Sequence, residues 1–297
     1  MNKITVGYFA DGPWSHQALE RLLDDSSIYI AFICARHDNP DQILKNWAEK
    51  YQINYITHPQ VNSDDFLHKV KDFNCELFVS MSFNQIFKKR LIELPRLQTI
   101  NCHAGKLPFY RGRNILNWAL INDEKEFGIT VHYLDEGIDT GDILNQRTFP
   151  ISDQDNYATL LKVAYIECAD LLYLTIKQLQ NGEINRILQS SIHKMGFYCT
   201  GRIAGDERLN WSQTSRDIFN FVRAICQPGP EARTYLRNNE IKINNVEFLP
   251  DAPIYKGIVG AVVGADLDCI YVKTLDSYVK ITKWSGVERV YIGDRFL

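Results

Sequence analysis

The stretch INCHAGKLPFYRGRNILNWALINDEKEFGITVHYLDEGIDTGD, residues 100–142, decides how the fold of this chain is interpreted. It begins with a short apolar run that carries Asn101 and His103 and then opens into a loop with glycine and proline. Side chains two residues apart point to the same side of an extended strand. Open α/β sheets bind ligands where strand ends open into such loops. The stretch therefore predicts a site at the end of a buried strand, although an interior histidine beside a turn-forming asparagine gives the same local pattern.

Short β-rich runs alternate with segments of helical spacing over the first two-thirds of the chain. The β-rich runs are residues 4–9, 29–35, 53–57, 77–81, 99–102, 129–134 and 143–149. Helical spacing occurs at residues 15–23, 41–51, 64–73 and 157–181. This alternation predicts an α/β fold whose mostly parallel, Rossmann-like sheet is covered by helices on both faces.

The pattern changes near the C-terminus, where strand-like runs follow one another without a convincing helix. These runs are residues 241–248, 257–263, 269–274, 278–283 and 289–292. Several short strands at this spacing predict a small β-module. We therefore expect a catalytic domain over residues 1–189, a linker region over 190–237 and a small C-terminal β-module over 238–297.

Composition and charge narrow the class of protein. The 297 residues are 45% hydrophobic and 23% charged, with a formal net charge of −3. The overall charge therefore gives no basic field of the kind that nucleic-acid binding usually needs, although a local basic patch is compatible with this average. Seven scattered cysteines without a C-x-x-C pair fit reduced thiols rather than disulfides or a zinc site. No stretch approaches the roughly 20 apolar residues of a membrane span, and no signal core is visible. We expect a cytoplasmic protein with no metal and no membrane partner.

Five short motifs follow each other in the order and approximate spacing of the folate-dependent formyltransferase superfamily, which this chain resembles. They are Asn-x-His, Leu-Pro-x-Tyr-Arg-Gly, Asn-Trp, Gly-Ile-Thr-x-His and Asp-x-Gly-x-Ile. In that superfamily an Asn, a His and an Asp surround the transferred formyl group, and by position these are Asn101, His103 and Asp139. The resemblance thus implies a formyl-transfer enzyme that uses 10-formyltetrahydrofolate as co-substrate.

A second block indicates a branch of the superfamily. Residues 200–206, 210–211, 221–223 and 228–230 resemble the linker of the aminoarabinose enzyme and of methionyl-tRNA formyltransferase. That likeness implies an OB-like form for the C-terminal β-module.

The three catalytic candidates match the chemistry of acyl transfer to an amine. An imidazole titrates near neutral pH, so His103 can accept the amine proton or donate to the oxyanion. The Asn101 carboxamide is a neutral donor for the oxyanion. Asp139 would orient the imidazole or a proton-relaying water and favour the imidazolium. Its acidic, glycine-rich loop could also be a plain surface turn, while its spacing does not match an EF-hand calcium loop.

The resemblance also implies two folate-contacting segments. The first follows the strand at residues 77–81, and the second precedes Asp139. The residues concerned are Phe83, Asn84, Gln85, Ile86, Glu136, Gly137 and Ile138. An apolar slot with a few convergent polar groups suits a flat heteroaromatic ring, although the first segment could be an ordinary strand-to-helix join. His132 fits a core residue or a partner of the site equally well, and the resemblance suggests a cis peptide at Leu107-Pro108.

The acceptor side is expected to include Trp14, Lys106, Tyr110, Arg111, Arg113 and Asn114. Guanidinium groups bind a diphosphate by bidentate hydrogen bonds; alternatively Arg111 and Arg113 brace the Tyr110 loop, and Trp14 simply packs. Residues 238–297 carry seven Lys/Arg against eight Asp/Glu, which favours a nucleotide-linked amino sugar over tRNA.

Among sugars, the resemblance to the aminoarabinose enzyme implies a UDP-linked 4-amino-4-deoxy sugar such as the pseudaminic-acid precursor, and next a dTDP-4-amino-4,6-dideoxy sugar. Both belong to lipopolysaccharide, O-antigen or other surface glycan biosynthesis. Methionyl-tRNA formyltransferase and a non-catalytic folate-binding module are the alternatives, and a homodimer is left open.

Overall fold

The computed structural model describes residues 3–297, and the chain forms two compact units that interleave in sequence. The first unit comprises the residues up to Gly112, Gly128–Phe149 and Lys162–Tyr198. The second comprises Arg113–Phe127, Pro150–Leu161 and Cys199–Leu297. The domain boundaries predicted from sequence follow chain order instead, and they stay a prediction about sequence modules.

A seven-stranded sheet forms the centre of the first unit. Its strands in sequence order are β1 (Ile4–Ala10), β2 (Ile28–Ala35), β3 (Asn54–Thr57), β4 (Leu77–Met81), β5 (Thr99–His103), β7 (Glu126–Tyr133) and β8 (Ile143–Pro150), where β6 is the short strand Arg111–Gly112 outside this sheet. In space the order is β3-β2-β1-β4-β5-β7-β8. The first five strands in that order pair in parallel, and β5 pairs antiparallel with β7. The predicted α/β fold with a mostly parallel sheet is confirmed.

Helices alternate along the chain with the first five strands of this sheet, and two more helices follow β8. They are α1 (Gly12–Leu23), α2 (Gln42–Tyr51), α3 (Asp64–Lys71), α4 (Lys89–Ile92), α6 (Tyr157–Asn181) and α7 (Gln189–Ile192). Local chemistry sets several of their ends: the Asp41 carboxylate caps the N-terminus of α2 by accepting from two backbone amides, and the Ser63 hydroxyl caps α3 in the same way. Gly182, with φ of 74°, follows the last residue of α6.

Aromatic side chains from β1, β2 and β4 pack against one another beside the sheet. The Phe9 ring lies 5.4 Å from the Phe32 ring and 5.3 Å from the Phe78 ring, both in edge-to-face geometry. A Cβ added to Gly7 would lie 2.5 Å from the Phe32 ring, so the aromatic side chains fill the space beside β1. Strands buried in this way read as nearly continuous apolar runs, which is why the sequence predicts them well.

The second unit combines two helices with a five-stranded antiparallel sheet. The helices are α5 (Ile115–Ile121) and α8 (Ser215–Ile225). The strands are β10 (Ala232–Leu236), β11 (Asn239–Glu247), β12 (Val262–Ala265), β13 (Ile270–Lys273) and β14 (Tyr278–Ser285), in the spatial order β10-β11-β14-β13-β12. The remaining strand, β9 (Tyr198–Cys199), pairs with β6. The predicted C-terminal β-module is confirmed as an antiparallel sheet.

Two predicted strands of this module are wrong in detail. Residues 289–292 form no strand, and the run expected at 257–263 is a strand only from Val262. Gly260 has φ of 77°, in the left-handed region, and a Cβ there would lie 2.4 Å from the Phe296 carbonyl oxygen. The chain therefore turns at Gly260 before β12 begins.

Candidate functional site

The end of β5 carries the central residues of the site. β5 lies between β4 and β7, and its residues Asn101 and His103 pair in register with His132 and Thr130 of β7. His103 is buried and Asn101 is half-buried. The strand register therefore brings a second histidine, His132, beside the two side chains predicted from sequence.

The loop that follows β5 determines which imidazole nitrogen of His103 is free to react. Nε2 lies 2.7 Å from the Tyr110 carbonyl oxygen, which can only accept, so Nε2 carries a proton. A Cβ on Gly105 would lie 2.4 Å from that carbonyl oxygen and 2.5 Å from Nε2, so only glycine lets the loop close back on the ring. Nδ1 is consequently the nitrogen that can gain or lose a proton.

Asp139 lies between two imidazoles. Its Oδ2 is 3.7 Å from His103 Nδ1, and its Oδ1 is 3.5 Å from His132 Nε2. The Gly112 backbone N–H donates to Oδ2 at 2.9 Å. Burial raises the pKa of the Asp139 carboxyl, but the two imidazoles and the Gly112 amide together outweigh burial, and the net shift of the pKa is downward. Asp139 therefore remains a carboxylate at neutral pH.

His132 links Asn101 to this carboxylate. The fully buried ring donates from Nδ1 to the Tyr133 carbonyl oxygen at 2.7 Å. Its Nε2 then accepts from the Asn101 carboxamide nitrogen at 3.2 Å and also faces Asp139. The structure thus brings Asn101, His103 and Asp139 together through His132, the residue whose role the sequence left open.

Arg111, predicted to contact the acceptor, is buried and makes its contacts within the first unit. Its Nε and Nη2 donate to Gln189 Oε1 at 3.0 and 2.6 Å, and Nη1 donates to the Met195 carbonyl oxygen at 3.2 Å. The guanidinium also lies 5.3 Å from the Tyr198 ring centroid. Of the two roles that the sequence allows for Arg111, these contacts correspond to bracing the loop.

Gln189 is the residue of this cluster that sequence reasoning missed. Its side-chain NH2 donates to the carbonyl oxygens of Asp139 and Gly141, both at 2.8 Å. Gln189 is 50 residues from Asp139 in the chain, and no motif connects the two positions. Only the three-dimensional fold reveals this contact.

The first predicted folate segment follows β4 and differs in exposure along its length. Phe83 packs against Phe9 at 5.6 Å between ring centroids, within the aromatic core. The Gln85 amide accepts from the Val61 N–H and donates to the His58 carbonyl oxygen, so it braces a neighbouring loop. Ile86 is 64% exposed, and the exposed Asn84 donates to Asp38 at 3.3 Å. The segment thus offers Ile86 as its main exposed apolar side chain.

The second predicted folate segment borders a cavity of about 400 Å³. The cavity is lined by residues 134–137, which include Glu136 and Gly137, and by Lys89, Ile92, Glu93 and Gln98. The Asp135 carboxylate accepts from the Gly137 N–H and the Thr140 hydroxyl and so shapes the loop. Ile138, at the end of this segment, is 51% exposed.

The other predicted acceptor residues have different surroundings. The Trp14 ring packs edge-to-face on Tyr165 at 4.6 Å, and the half-buried Lys106 packs against Gly128. Tyr110 is buried and has φ of 57°, and its ring lies 4.8 Å from Phe197.

Arg113 and Asn114 belong to the second unit, where both are exposed. The Arg113 backbone N–H donates to the Cys199 carbonyl oxygen, and the Asn114 side-chain oxygen accepts from the Arg202 N–H at 2.9 Å.

Within residues 3–297, no group of three or more His, Cys, Asp or Glu side chains is arranged to hold a metal ion. In the same part of the chain, no helix has the length and apolar character needed to span a membrane. The Leu107-Pro108 peptide bond in the loop after β5 is cis.

Solved structures of similar fold include sugar N-formyltransferases. WlaRD, a sugar 3-N-formyltransferase solved with dTDP and 5-N-formyl-tetrahydrofolate, superposes with a TM-score of 0.71 at 21% identity and covers 97% of this chain and 100% of its own. The N-formyltransferase from Helicobacter canadensis, in complex with folinic acid and dTDP-3-aminofucose, gives a TM-score of 0.70 at 20% identity over 96% of this chain and 100% of its own. At these identities the likeness concerns the fold.

Similar sequences point to the same family. The methionyl-tRNA formyltransferase of Halothermothrix orenii is 34% identical over 295 residues, which cover 94% of this chain and 92% of that protein. The one from Thermodesulfovibrio yellowstonii is 36% identical over 190 residues, 64% of this chain and 60% of that protein. The formyl transferase family matches residues 2–167, and its C-terminal domain matches residues 203–288. The resemblance inferred from the motifs is confirmed, and this chain belongs to the formyl transferase family.

Proposed function

We propose that this formyltransferase moves a formyl group from 10-formyltetrahydrofolate to the amino group of a nucleotide-linked amino sugar. The main support for formyl transfer is the cluster of side chains at the end of β5. In this cluster Asp139 lies between His103 and His132, and Asn101 hydrogen-bonds to His132. Solved structures of similar fold that bind folate derivatives and dTDP or a dTDP-amino sugar support the choice of both substrates.

In the proposed reaction, the acceptor amine attacks the formyl carbon and negative charge develops on the formyl oxygen. The Asn101 carboxamide has two N–H groups, one of which His132 accepts; the other donates to the developing oxyanion. Because the orientation of the amide is fixed before the substrate arrives, this donor needs little reorganisation during the reaction.

His103 is the proposed acceptor and donor of the proton that the amine loses. Its Nε2 proton is engaged by the Tyr110 carbonyl, so Nδ1 accepts the proton that the amine loses. The resulting imidazolium is stabilised by the Asp139 carboxylate, which is 3.7 Å from Nδ1 and acts through its charge at that distance. The same proton is then delivered to the departing folate nitrogen, so His103 ends the cycle as it began.

The folate slot is proposed at the two loops that carry Ile86 and Ile138. Both side chains are large, apolar and more than half exposed, and a flat pterin ring would cover such surfaces. Asn84, Glu136 and Gly137 supply polar side-chain or backbone groups along the same loops. Phe83 packs against Phe9, and the Gln85 amide holds the neighbouring loop through Val61 and His58.

The acceptor is proposed to be a sugar nucleotide because the C-terminal module has no excess of basic residues. Residues 238–297 contain seven Lys/Arg and eight Asp/Glu, whereas tRNA binding depends on neutralising several phosphates. We favour a UDP-linked 4-amino-4-deoxy sugar, with a dTDP-linked amino sugar next, in surface glycan biosynthesis. The exposed Arg113 is our candidate for the diphosphate.

Methionyl-tRNA formyltransferase is the second candidate function, and one observation favours it. The enzyme from Halothermothrix orenii is 34% identical over nearly the whole chain. An assay that separates the two candidates supplies 10-formyltetrahydrofolate with UDP-amino sugars, dTDP-amino sugars and charged initiator tRNA in parallel. Mass spectrometry then detects the added formyl group, and His103→Ala serves as the inactive control. Formylation of the tRNA alone would overturn the sugar assignment.

A further inference from the structure

The Gln189 side chain uses both ends of its amide at the edge of the catalytic cluster. Its oxygen accepts two hydrogen bonds from the Arg111 guanidinium, and its nitrogen donates to the carbonyl oxygens of Asp139 and Gly141. The residue is buried, with 4% of its surface exposed. These partners also fix the amide orientation, because guanidinium groups only donate and carbonyl oxygens only accept.

The backbone that Gln189 holds is strained. Asp139 has φ of 55°, a left-handed conformation that residues other than glycine rarely adopt. Gly141 packs so closely that a Cβ there would lie 1.9 Å from the Tyr133 carbonyl oxygen. A strained conformation persists only where the surroundings over-determine it, and the two hydrogen bonds from Gln189 are part of that constraint.

The contacts converge on Asp139 from two directions. Arg111 and Gly112 are neighbours in the chain: Gly112 donates its N–H to the Asp139 carboxylate, and Arg111 fixes the Gln189 amide that binds the Asp139 backbone. The carboxylate and the backbone of Asp139 are thereby tied to the same dipeptide at the end of the loop that follows β5.

We propose that Gln189 is a positioning residue: it holds Asp139 in register with His103 and His132, and Arg111 acts by orienting the Gln189 amide. The catalytic part of this inference rests on the proposed formyl transfer, whereas the structural part, that Gln189 positions Asp139, does not. Arg111 then belongs to the support of the catalytic site and is not the group that binds the acceptor.

Two substitutions of Gln189 test the proposal in complementary ways. Gln189→Met keeps the length of the side chain and removes all its hydrogen bonds. Gln189→Glu retains the acceptor for Arg111 but turns a carboxylate oxygen toward two carbonyl oxygens. Gln42→Met, at an exposed position of α2, is the matched control. If Gln189→Met does not fold, Gln189→Glu still separates the contacts with Arg111 from those with Asp139.

The first measurement needs no substrate: hydrogen exchange of the Gly112 amide, whose N–H is bound by the Asp139 carboxylate. We expect its protection to fall at least 10-fold in both Gln189 variants relative to the control, because a displaced carboxylate no longer accepts that N–H. Unchanged protection in both folded variants would overturn the proposal, whatever the acceptor is.

The second measurement is kinetic. A displacement of about 1 Å at a catalytic group costs on the order of 100-fold in rate, so kcat should fall roughly 10- to 100-fold with little change in KM for formyl-folate.

In an Asp139→Asn background, Gln189→Met should cause almost no further loss of kcat, since Gln189 acts through that carboxylate. Additive effects would refute the positioning role. If the wild type formylates no amino sugar while Gly112 protection falls as expected, the proposed function fails and the positioning of Asp139 stands.

Discussion

Asp139 in the first unit and Asp123 in the second are both carboxylates with a depressed pKa, but their partners differ. The partners of Asp139 are two imidazoles and a backbone amide. The Asp123 carboxylate accepts from the Arg216 guanidinium and pairs with Lys125, and Arg223 lies 3.6 Å away. Burial raises the pKa of Asp123, but Arg216, Lys125 and Asn220 lower it to about 2.

A lowered carboxyl pKa, which Asp139 and Asp123 share, therefore does not by itself identify a catalytic carboxylate. Imidazoles exchange protons near neutral pH, whereas guanidinium groups remain charged at every relevant pH. Asp139 can therefore take part in proton transfer through its neighbours, while Asp123 can only hold its neighbours in place.

The largest effect is expected from removing the groups that act at the formyl centre. His103→Ala should lower kcat by about 100- to 10,000-fold, because general acid–base catalysis contributes that much. Asn101→Ala should lower it about 100- to 1000-fold through loss of the oxyanion donor. Steady-state kinetics with the accepted amine measures both, and circular dichroism checks that the fold is intact. Near-normal turnover in either variant would place the chemistry elsewhere.

Asp139→Asn should follow in magnitude. The change keeps the size of the side chain and removes the charge that favours the His103 imidazolium, so we expect kcat to fall about 100-fold or more while folate affinity stays close to that of the wild type. Titration with folinic acid measures the affinity independently of turnover. A variant that loses folate binding and retains kcat contradicts the role assigned to Asp139.

Substitutions of Arg111 and Arg113 should change different kinetic parameters. Arg113→Ala should raise KM for the sugar nucleotide about 10-fold or more with little change in kcat, since a charge-assisted hydrogen bond to a distant part of the substrate is lost. Arg111→Lys should instead lower kcat, because an ammonium cannot replace the forked contact to Gln189. Binding of the bare nucleoside diphosphate gives the check: equal affinity for Arg113→Ala and wild type would remove Arg113 from the acceptor site.

The Asp123 network predicts a loss of stability without a catalytic effect. Arg216→Ala leaves Asp123 and Asp153 without the guanidinium that donates to both. Loss of such charge-assisted hydrogen bonds costs about 1–3 kcal/mol, toward the lower end here because Asp153 is half exposed. Urea unfolding measures the free energy of unfolding, and kcat at a temperature where the variant is folded should match the wild type. A large loss of kcat with unchanged stability would show that the Asp123 network contributes to catalysis and not to stability.

Much of the fold is predictable because its signals are local. β1, β2 and β4 are buried apolar runs, and period-2 spacing on β5 places Asn101 and His103 on one side. The sequence of α8 also contains a local helix signal, the capping box of Thr214 and Asp217, although the helix lies in the segment predicted only as a linker region.

The residues that hold Asp139 in the site were not predictable in the same way. Gln189 contacts Asp139 across 50 residues and Arg111 across 78, so no window of sequence contains the pair. The sequence allows Arg111 either to bind the diphosphate or to brace the Tyr110 loop. It cannot decide between these roles, because the exposure of the Arg111 side chain depends on what packs around it in three dimensions. The strand expected at residues 289–292 was wrong for a local reason: the chain turns at Gly293, where the Asp294 N–H donates to the Tyr291 carbonyl oxygen and the Asp294 carboxylate accepts from the Tyr291 N–H.

The smallest expected effect is a pH dependence of stability that originates at Asp123. Its folded-state pKa, about 2, lies below the unfolded value near 4. A depressed carboxyl pKa contributes stability that is fully present above the unfolded pKa and is lost as pH falls through the folded pKa. Wild type should therefore be more stable than Asp123→Asn above about pH 4, and most of the difference should be lost between about pH 4 and pH 2. Partial exposure of the carboxylate screens the effect, so high salt should reduce it further. Urea unfolding of both proteins across that range provides the test, and a difference that does not decline between pH 4 and pH 2 would show that packing, and not the charge of Asp123, stabilises this part of the second unit.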